Sequence, residues 1–312
     1  MPDHALLSTI VVTSADAERF DLALELIGSV RQFSTLDSIR LGMLDSGLTE
    51  AQRGLLADQD VAVAPAEWKF PGELPTGVSR GYLAMLARPF LPESFPGFDT
   101  IVSLDSDTWV QMPRGVTDLV AAAAKVDVAA APEIHPSYGH LYNPNNLVRE
   151  THRNTFNLAF GKGIPNPADN VVLNAGVFAA RRESRLWKAW AQSLNEALAR
   201  VCKPDPLTGA SPFSTNHFIR HFVEQNAFNH ACYHRGLRLH PVSALYNFIC
   251  TLSRPVFDPE IKMLVEPSWP YAPINIVHLT GAGREAKIVG DRNGQVLQKG
   301  LHWHDWRDML AG

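Results

Sequence analysis

The feature that most constrains this chain is the alternation in its first third, where short β-branched runs take turns with segments of helical periodicity. STIVVTS (Ser8–Ser14) reads as a strand. DAERFDLALELIGSVRQF follows, with Phe20, Leu24, Ile27 and Val30 at helical spacing. SIRLGML reads as a second strand. Asp45, Ser46 and Gly47 then supply a turn, and Thr49 with Gln52 forms a capping-box signature that opens a helix. DVAVA (Asp60–Ala64) is a third short strand, and VSRGYLAMLARPFL reads as a helix ended by Pro89 and Pro92. DTIVSL is the fourth strand, uncharged from Thr100 to Leu104, as suits a strand covered on both faces. This order predicts an α/β fold: a mostly parallel central sheet with helices on both faces.

The fourth run ends on two acids, Asp105 and Asp107. In open α/β sheets ligands bind beyond the carboxyl ends of the strands, so both acids are expected at a binding crevice. Side chains two apart on an extended segment point to the same side, where two carboxylates repel. A hard divalent cation removes that conflict. Mg²⁺ or Mn²⁺ commonly takes one or two carboxylates plus the phosphates of a substrate. A turn with an N-cap role and a solvated acid is the competing reading of so short a motif.

Composition narrows the function classes. The 312 residues are 46% hydrophobic and 19% charged, enough apolar material for a large core and too much for disorder. A net charge of −4 gives no overall basic field for nucleic acid. Three cysteines, Cys202, Cys232 and Cys250, lack metal-type spacing; so sparse and odd a set predicts free thiols in a reducing, cytoplasmic compartment. The N-terminus has no basic n-region, and no stretch approaches the roughly twenty apolar residues of a spanning helix, which leaves peripheral membrane contact open.

Beyond Val110 a helix is expected near GVTDLVAAAAK and a strand at DVAAAPE. The stretch between Pro136 and Asn170 reads as irregular, the kind of long loop that often binds or closes over substrate. VVLNAGVFAARRESRLWKAWAQSL reads as strand, turn and helix, and NHFIRHFVEQNAFNHACYH as a helix. INIV is a short apolar run ending at His278. Trp109 reads as core. The C-terminal HWHDW fits no recognised spacing of metal ligands and reads as structural or membrane-peripheral.

FDTIVSLDSDTWV resembles the Asp-x-Asp strand of nucleotide-sugar glycosyltransferases with the GT-A fold. More narrowly it resembles glycosyltransferase family 8, the retaining group that includes bacterial lipopolysaccharide galactosyl- and glucosyltransferases, galactinol synthases and glycogenin. LDSGLTEAQRGLL, VVLNAGVFAARR, EQNAFN and HLTGAGR resemble further family segments in the family's order, across most of the chain. The resemblance implies a metal site of Asp105, Asp107 and His278, with Mn²⁺ favoured because imidazole suits it better, and Mg²⁺ second. It implies that Asn174 touches the donor sugar, with Gly176 letting backbone approach it. Glu224 and Gln225 then face the anomeric carbon. Gly281 and Arg284, the latter standing where the family has lysine, hold the diphosphate, with Lys287 a second candidate. Thr13 and Asp16 hold the base and ribose, with Ser106 against the ribose. The family's arginine before the Asp-x-Asp strand falls at Ala84 here; Arg80 and Arg88 flank it by one turn, and Arg80 is the expected substitute.

The implied protein is a metal-dependent hexosyltransferase acting from a nucleoside diphosphate sugar, with UDP-sugar favoured, on an acceptor hydroxyl. It forms one domain over 1–312: a nucleotide-binding half at 1–110, a donor-sugar and acceptor half at 111–290, and a C-terminal extension at 291–312. A sugar-1-phosphate nucleotidyltransferase is the alternative, weakened because VVTSADAERF has no Gly-rich signature. A non-catalytic nucleotide-sugar-binding relative and a metal-dependent phosphohydrolase are the others.

Overall fold

A computed structural model describes residues 8–75, 78–142, 147–286 and 289–310. Its first part follows the alternation in the sequence: β1 (Thr9–Ala15), α1 (Phe20–Arg31), β2 (Arg40–Asp45), α2 (Glu50–Asp58), β3 (Val61–Pro65), α3 (Arg80–Ala87), α4 (Leu91–Ser94) and β4 (Thr100–Leu104). The capping box at α2 is formed: Gln52 N–H donates to Thr49 Oγ1 at 3.3 Å and Thr49 N–H to Gln52 Oε1 at 2.9 Å. Pro89 and Pro92 do not stop the chain at α3. They sit in the first turn of a 3₁₀ segment and of α4, where a missing N–H costs nothing.

The chain continues through β5 (Thr108–Val110), α5 (Arg114–Ala123), β6 (Val128–Pro132), α6 (Leu147–Phe160), β7 (Leu173–Arg181), α7 (Arg185–Val201), α8 (Pro212–Thr215) and α9 (His217–His234). It then makes β8 (Leu239–Pro241), β9 (Phe248–Ile249), β10 (Val256–Asp258), β11 (Met263–Val265), β12 (Ile276–His278) and α10 (Trp303–Leu310). The α6 helix lies inside the stretch expected to be irregular. Its buried residues His152, Thr155, Phe156, Ala159 and Phe160 recur at helical spacing, but three are not plainly apolar, so the stripe is faint in sequence.

The main sheet runs β3-β2-β1-β4-β7-β6-β8. β3, β2, β1 and β4 are parallel, and β7 is antiparallel to both neighbours. Side chains alternate across it. Ile10, Val12 and Ile101 join one buried cluster with α7 and α9, while Val11, Val102 and Leu104 join another with α1 and α5. Both faces are therefore covered, as the uncharged β4 run required. A second, small sheet orders β5-β12-β9, and Trp109 is fully buried beneath it with Phe248, Val277 and Trp306. Cys202, Cys232 and Cys250 are all free. No helix among the described residues is long and apolar enough to cross a membrane.

One buried histidine makes the fold sensitive to acid. His230 on α9 stacks on Phe160, with ring centroids 4.0 Å apart, and pairs through Nδ1 with Ser193 Oγ at 2.9 Å. Burial, then the neighbouring His234 and Arg235, push its pKa down to about 4. The folded state resists protonation while the unfolded chain accepts a proton near pH 6.5. This contribution is complete above pH 6.5 and falls away as pH drops towards 4, by up to about 1.4 kcal/mol per pH unit. Unfolding free energies from urea titrations at pH 7 and pH 5 should show that loss, and His230→Gln should flatten it. An unchanged slope would mean that other groups carry the acid sensitivity.

Candidate active site and metal centre

The carboxyl ends of β1, β2 and β4, with β7 and β12, border a cleft of about 1000 Å³. That is the upper end of the roughly 300–1,000 Å³ of small-molecule sites. β4 delivers Asp105 and Asp107. Pairing of β12 antiparallel to β5, with His278 opposite Thr108, carries His278 to the same place from far down the chain. His278 Nε2 lies 3.3 Å from Asp107 Oδ1 and 3.8 Å from Asp105 Oδ2. These three residues form a group whose ligand atoms lie close enough to hold one metal ion.

The protonation of His278 follows from its neighbours. The Gly176 N–H can only donate, and it donates to Asn174 Oδ1 at 2.8 Å. That oxygen also takes Asn247 Nδ2 at 2.9 Å, which turns Asn247 Oδ1 towards His278 Nδ1 at 2.7 Å. Nδ1 therefore carries a proton, and the lone pair of a neutral ring points from Nε2 at two carboxylates. This arrangement needs a cation between the ring and the acids, and a ring N–H held by an amide oxygen is the outer support of a metal-ligating histidine. Burial works to lower the His278 pKa, but Asp107 outweighs it and the net direction is up. Burial likewise works to raise Asp107, yet His278 and then Arg284 hold it down at about 2. The donor set of two carboxylate oxygens and one imidazole thus fits a divalent cation such as Mn²⁺.

Gly176 explains why a glycine stands on β7 here. A Cβ at this position would meet Asp105 Oδ2 at 2.5 Å, Asn174 Oδ1 at 2.7 Å and His278 Cε1 at 2.9 Å. Its carbonyl also takes the Asp105 N–H at 2.8 Å.

Two groups that the sequence reading did not single out complete this wall. Glu133 directly follows β6, and its Oε1 accepts from Asn174 Nδ2 at 2.8 Å and Gln225 Nε2 at 2.9 Å, while Oε2 faces His152 Nε2 at 3.0 Å. Burial works to raise its pKa, but His152 and the two amides hold it down at about 2, so it is ionised at neutral pH. An acid ending the apolar run VAAAPE repeats the pattern of Asp105 and was the available signal. Arg19, in the loop after β1, also lines the cleft and adds to the positive field on Asp107.

The other expected residues distribute as follows. Asp16 lines the cleft and accepts the Arg19 N–H at 3.0 Å, tying the loop after β1. Thr13 is buried within β1; strand side chains alternate, and its neighbour Ser14 takes the cleft side. Arg80 lines the cleft and lies across Gly47, whose positive φ and missing Cβ leave room for it. Ser106, Gly281 and Arg284 line the cleft, with Arg284 Nε 3.8 Å from Asp107 Oδ2. Thr280 and Gly281 both have positive φ, a costly backbone turn of the kind that clusters at ligand sites. Lys287 lies outside the described residues. Gln225 Oε1 accepts the Ala175 N–H at 3.3 Å. Glu224 is fully buried, 3.5 Å from Arg88 Nη1, and burial pushes its carboxyl up to about 8. Arg88, not Arg80, reaches the acids: Nη2 pairs with Asp105 Oδ1, and Nη1 donates to Ala175 O at 2.9 Å.

No family model and no curated protein matches the chain. Solved structures similar to it include the galactosyltransferase LgtC in complex with donor and acceptor sugar analogues. That pair shows 15% identity over 96% of this chain and 95% of that one, with a TM-score of 0.52. Another is the apo bifunctional glycosyltransferase WbbM, at 14% identity over 97% of this chain and 50% of that one, with a TM-score of 0.53. At these identities the likeness shows the fold: the chain has the GT-A architecture of these transferases.

Proposed function

We propose that this chain is a metal-dependent, retaining glycosyltransferase. It moves a hexosyl group from a nucleoside diphosphate sugar, a UDP-sugar in the first instance, to an acceptor hydroxyl. The observation that carries the reading is the fixed lone pair of His278 converging on Asp105 and Asp107 at the carboxyl edge of a GT-A sheet. The similar galactosyltransferase was solved with donor and acceptor sugar analogues, which supports placing both substrates in the corresponding cleft here. Residues 1–110 serve the nucleotide, 111–290 the sugar and acceptor, and 291–312 are a C-terminal extension of the one domain. The free cysteines fit a cytoplasmic setting.

In this reading Asp105, Asp107 and His278 hold a divalent cation, Mn²⁺ first, which acts as a Lewis acid towards the donor diphosphate. The protein groups do the rest. Asp16 and the loop around it, with Ser106, hold base and ribose, and Arg80 and Arg19 border the phosphates. Arg284 offers a bidentate fork to the leaving diphosphate, and Gly281 exposes backbone beside it. Asn174 and Gln225 meet the sugar, with Gly176 leaving it room.

The electron pair of the anomeric C–O bond departs with the diphosphate. The acceptor oxygen bonds to that carbon from the same face, and its proton passes to the leaving diphosphate. Positive charge on the ring is offset by the ionised Glu133 carboxylate and by Gln225. A Glu224 held protonated to about pH 8 is a poor nucleophile at neutral pH, which favours same-face attack over a covalent intermediate. Glu224 acts instead as a positioning residue, through Arg88.

A panel of nucleoside diphosphate sugars with Mn²⁺, read by nucleotide diphosphate release and by thermal shift, tests the proposal. One or more donors should raise the melting temperature and release diphosphate, and the anomeric proton of the product should show retention. Failure of every donor to bind would sink the assignment.

A further inference from the structure

Away from the cleft, a second set of metal-ligating side chains converges. Glu25 on α1 meets His302 and His304, which flank the first residue of α10. His302 Nδ1 lies 3.1 Å and 3.2 Å from the two Glu25 oxygens, and His304 Nδ1 lies 2.8 Å from Oε1. One ligand atom from each residue lies within 4.8 Å of the others. We propose that Glu25, His302 and His304 form a second metal site, for a borderline divalent cation such as Zn²⁺, that staples the C-terminal helix to α1.

The orientation of His302 carries the inference. Its Nε2 is 2.8 Å from the Arg284 carbonyl oxygen, which can only accept, so Nε2 bears the proton. The lone pair of a neutral ring then points from Nδ1 at the Glu25 carboxylate. Lone pair against carboxylate is repulsive unless a cation lies between them or the ring takes a second proton. A ring N–H donated to a backbone carbonyl is also the outer contact that orients metal-ligating histidines.

Glu25 is oriented too. Its Oε2 takes the Trp303 N–H at 3.0 Å, leaving Oε1, the atom nearest both rings, as the ligand. The Trp303 indole lies directly over Gly28, where a Cβ would stand 2.5 Å from the ring, and its N–H reaches Gln32 Oε1 at 3.2 Å. The site is therefore built on two docked helices rather than on free side chains.

Two imidazoles and one carboxylate match zinc, which takes His and Glu ligands readily, better than Mg²⁺, which prefers oxygen. The side chains of Glu25 and His302 are 17% and 21% exposed and that of His304 57%, so one side stays open to water or a further ligand. Because His302 holds the carbonyl of Arg284, the bound ion braces the backbone that presents Arg284 to the cleft.

The test uses Zn²⁺ alone, with no donor, so its outcome is independent of glycosyl transfer. Calorimetric titration is done on Asp107→Asn protein, which removes a ligand from the cleft site. One Zn²⁺ per chain is expected, with a rise in melting temperature and X-ray absorption showing two nitrogen ligands and carboxylate oxygen. His304→Ala, at an exposed position that leaves the fold intact, should weaken binding more than about tenfold, and so should Glu25→Gln. The proposal is overturned if the Asp107→Asn protein binds no Zn²⁺. It is equally overturned if His304→Ala and Glu25→Gln bind as tightly as their parent, in which case a protonated His302 paired with Glu25 accounts for the cluster.

Discussion

Asp107→Asn should lower metal-dependent release of nucleotide diphosphate by at least about 10²-fold while the protein stays folded, the scale expected when one preorganised electrostatic stabiliser is removed. The substitution keeps the shape of the side chain but removes a carboxylate that His278 and Arg284 hold ionised at about pH 2 and above. With it goes the charge that a cation between Asp107 and His278 would balance. The discriminating readout is the Mn²⁺-induced thermal shift, present in the parent and lost in the variant. Gly176→Ala gives an independent route to the same result. Its methyl would press into Asp105 and His278 from a central strand whose backbone is paired on both sides, so metal response and turnover should fall together. Parent-level turnover by Asp107→Asn would remove the metal from the mechanism.

Local physics made part of this site legible. Asp105 and Asp107 were placed correctly because an apolar run must stop where a parallel sheet ends, and because ligands gather at that edge. His278 was readable as a strand end, but its meeting with the aspartates depends on β12 pairing with β5, a contact with no local signal. The same gap hid Glu133, which joins Asn174 and Gln225 only once β6, β7 and α9 are assembled. HWHDW carried no recognised ligand spacing because its third member, Glu25, sits on a helix near the other end of the chain. The α6 helix was missed for a different reason: its buried stripe includes His152 and Thr155, residues that read as polar until their partners are known. Arg80 and Arg88 flank Ala84 symmetrically in sequence. Only the packing of the 3₁₀ segment beneath β7 decides which of them is buried against the acids.

That choice makes Arg88 the site of the largest expected stability effect. Arg88→Met should destabilise the protein by about 3–5 kcal/mol, the usual cost of removing one partner from a buried ionic cluster. The guanidinium is 7% exposed and binds Asp105, Glu224 and the Ala175 carbonyl at once. Glu224→Gln should behave in the opposite way. Burial pushes the Glu224 pKa up to about 8 from an ordinary 4.5, against the pull of Arg88. A raised folded pKa means that the contribution of this group is complete below pH 4.5 and lost as pH rises towards 8. The amide, which never ionises, should remove that decline, leaving the variant equal to or more stable than the parent at pH 8.

Urea unfolding of both single variants and the double variant closes the cycle, and a coupling of at least about 1 kcal/mol is expected between neighbours in one network. Glu224→Gln should also weaken Mn²⁺ binding, because Arg88 loses one of the two acids that hold it beside Asp105. Persistence of a buried acid that lowers stability at neutral pH is then explained by the position it gives Arg88. Unchanged Mn²⁺ binding in a stabilised Glu224→Gln protein would refute that explanation and leave Glu224 as a cost without a role.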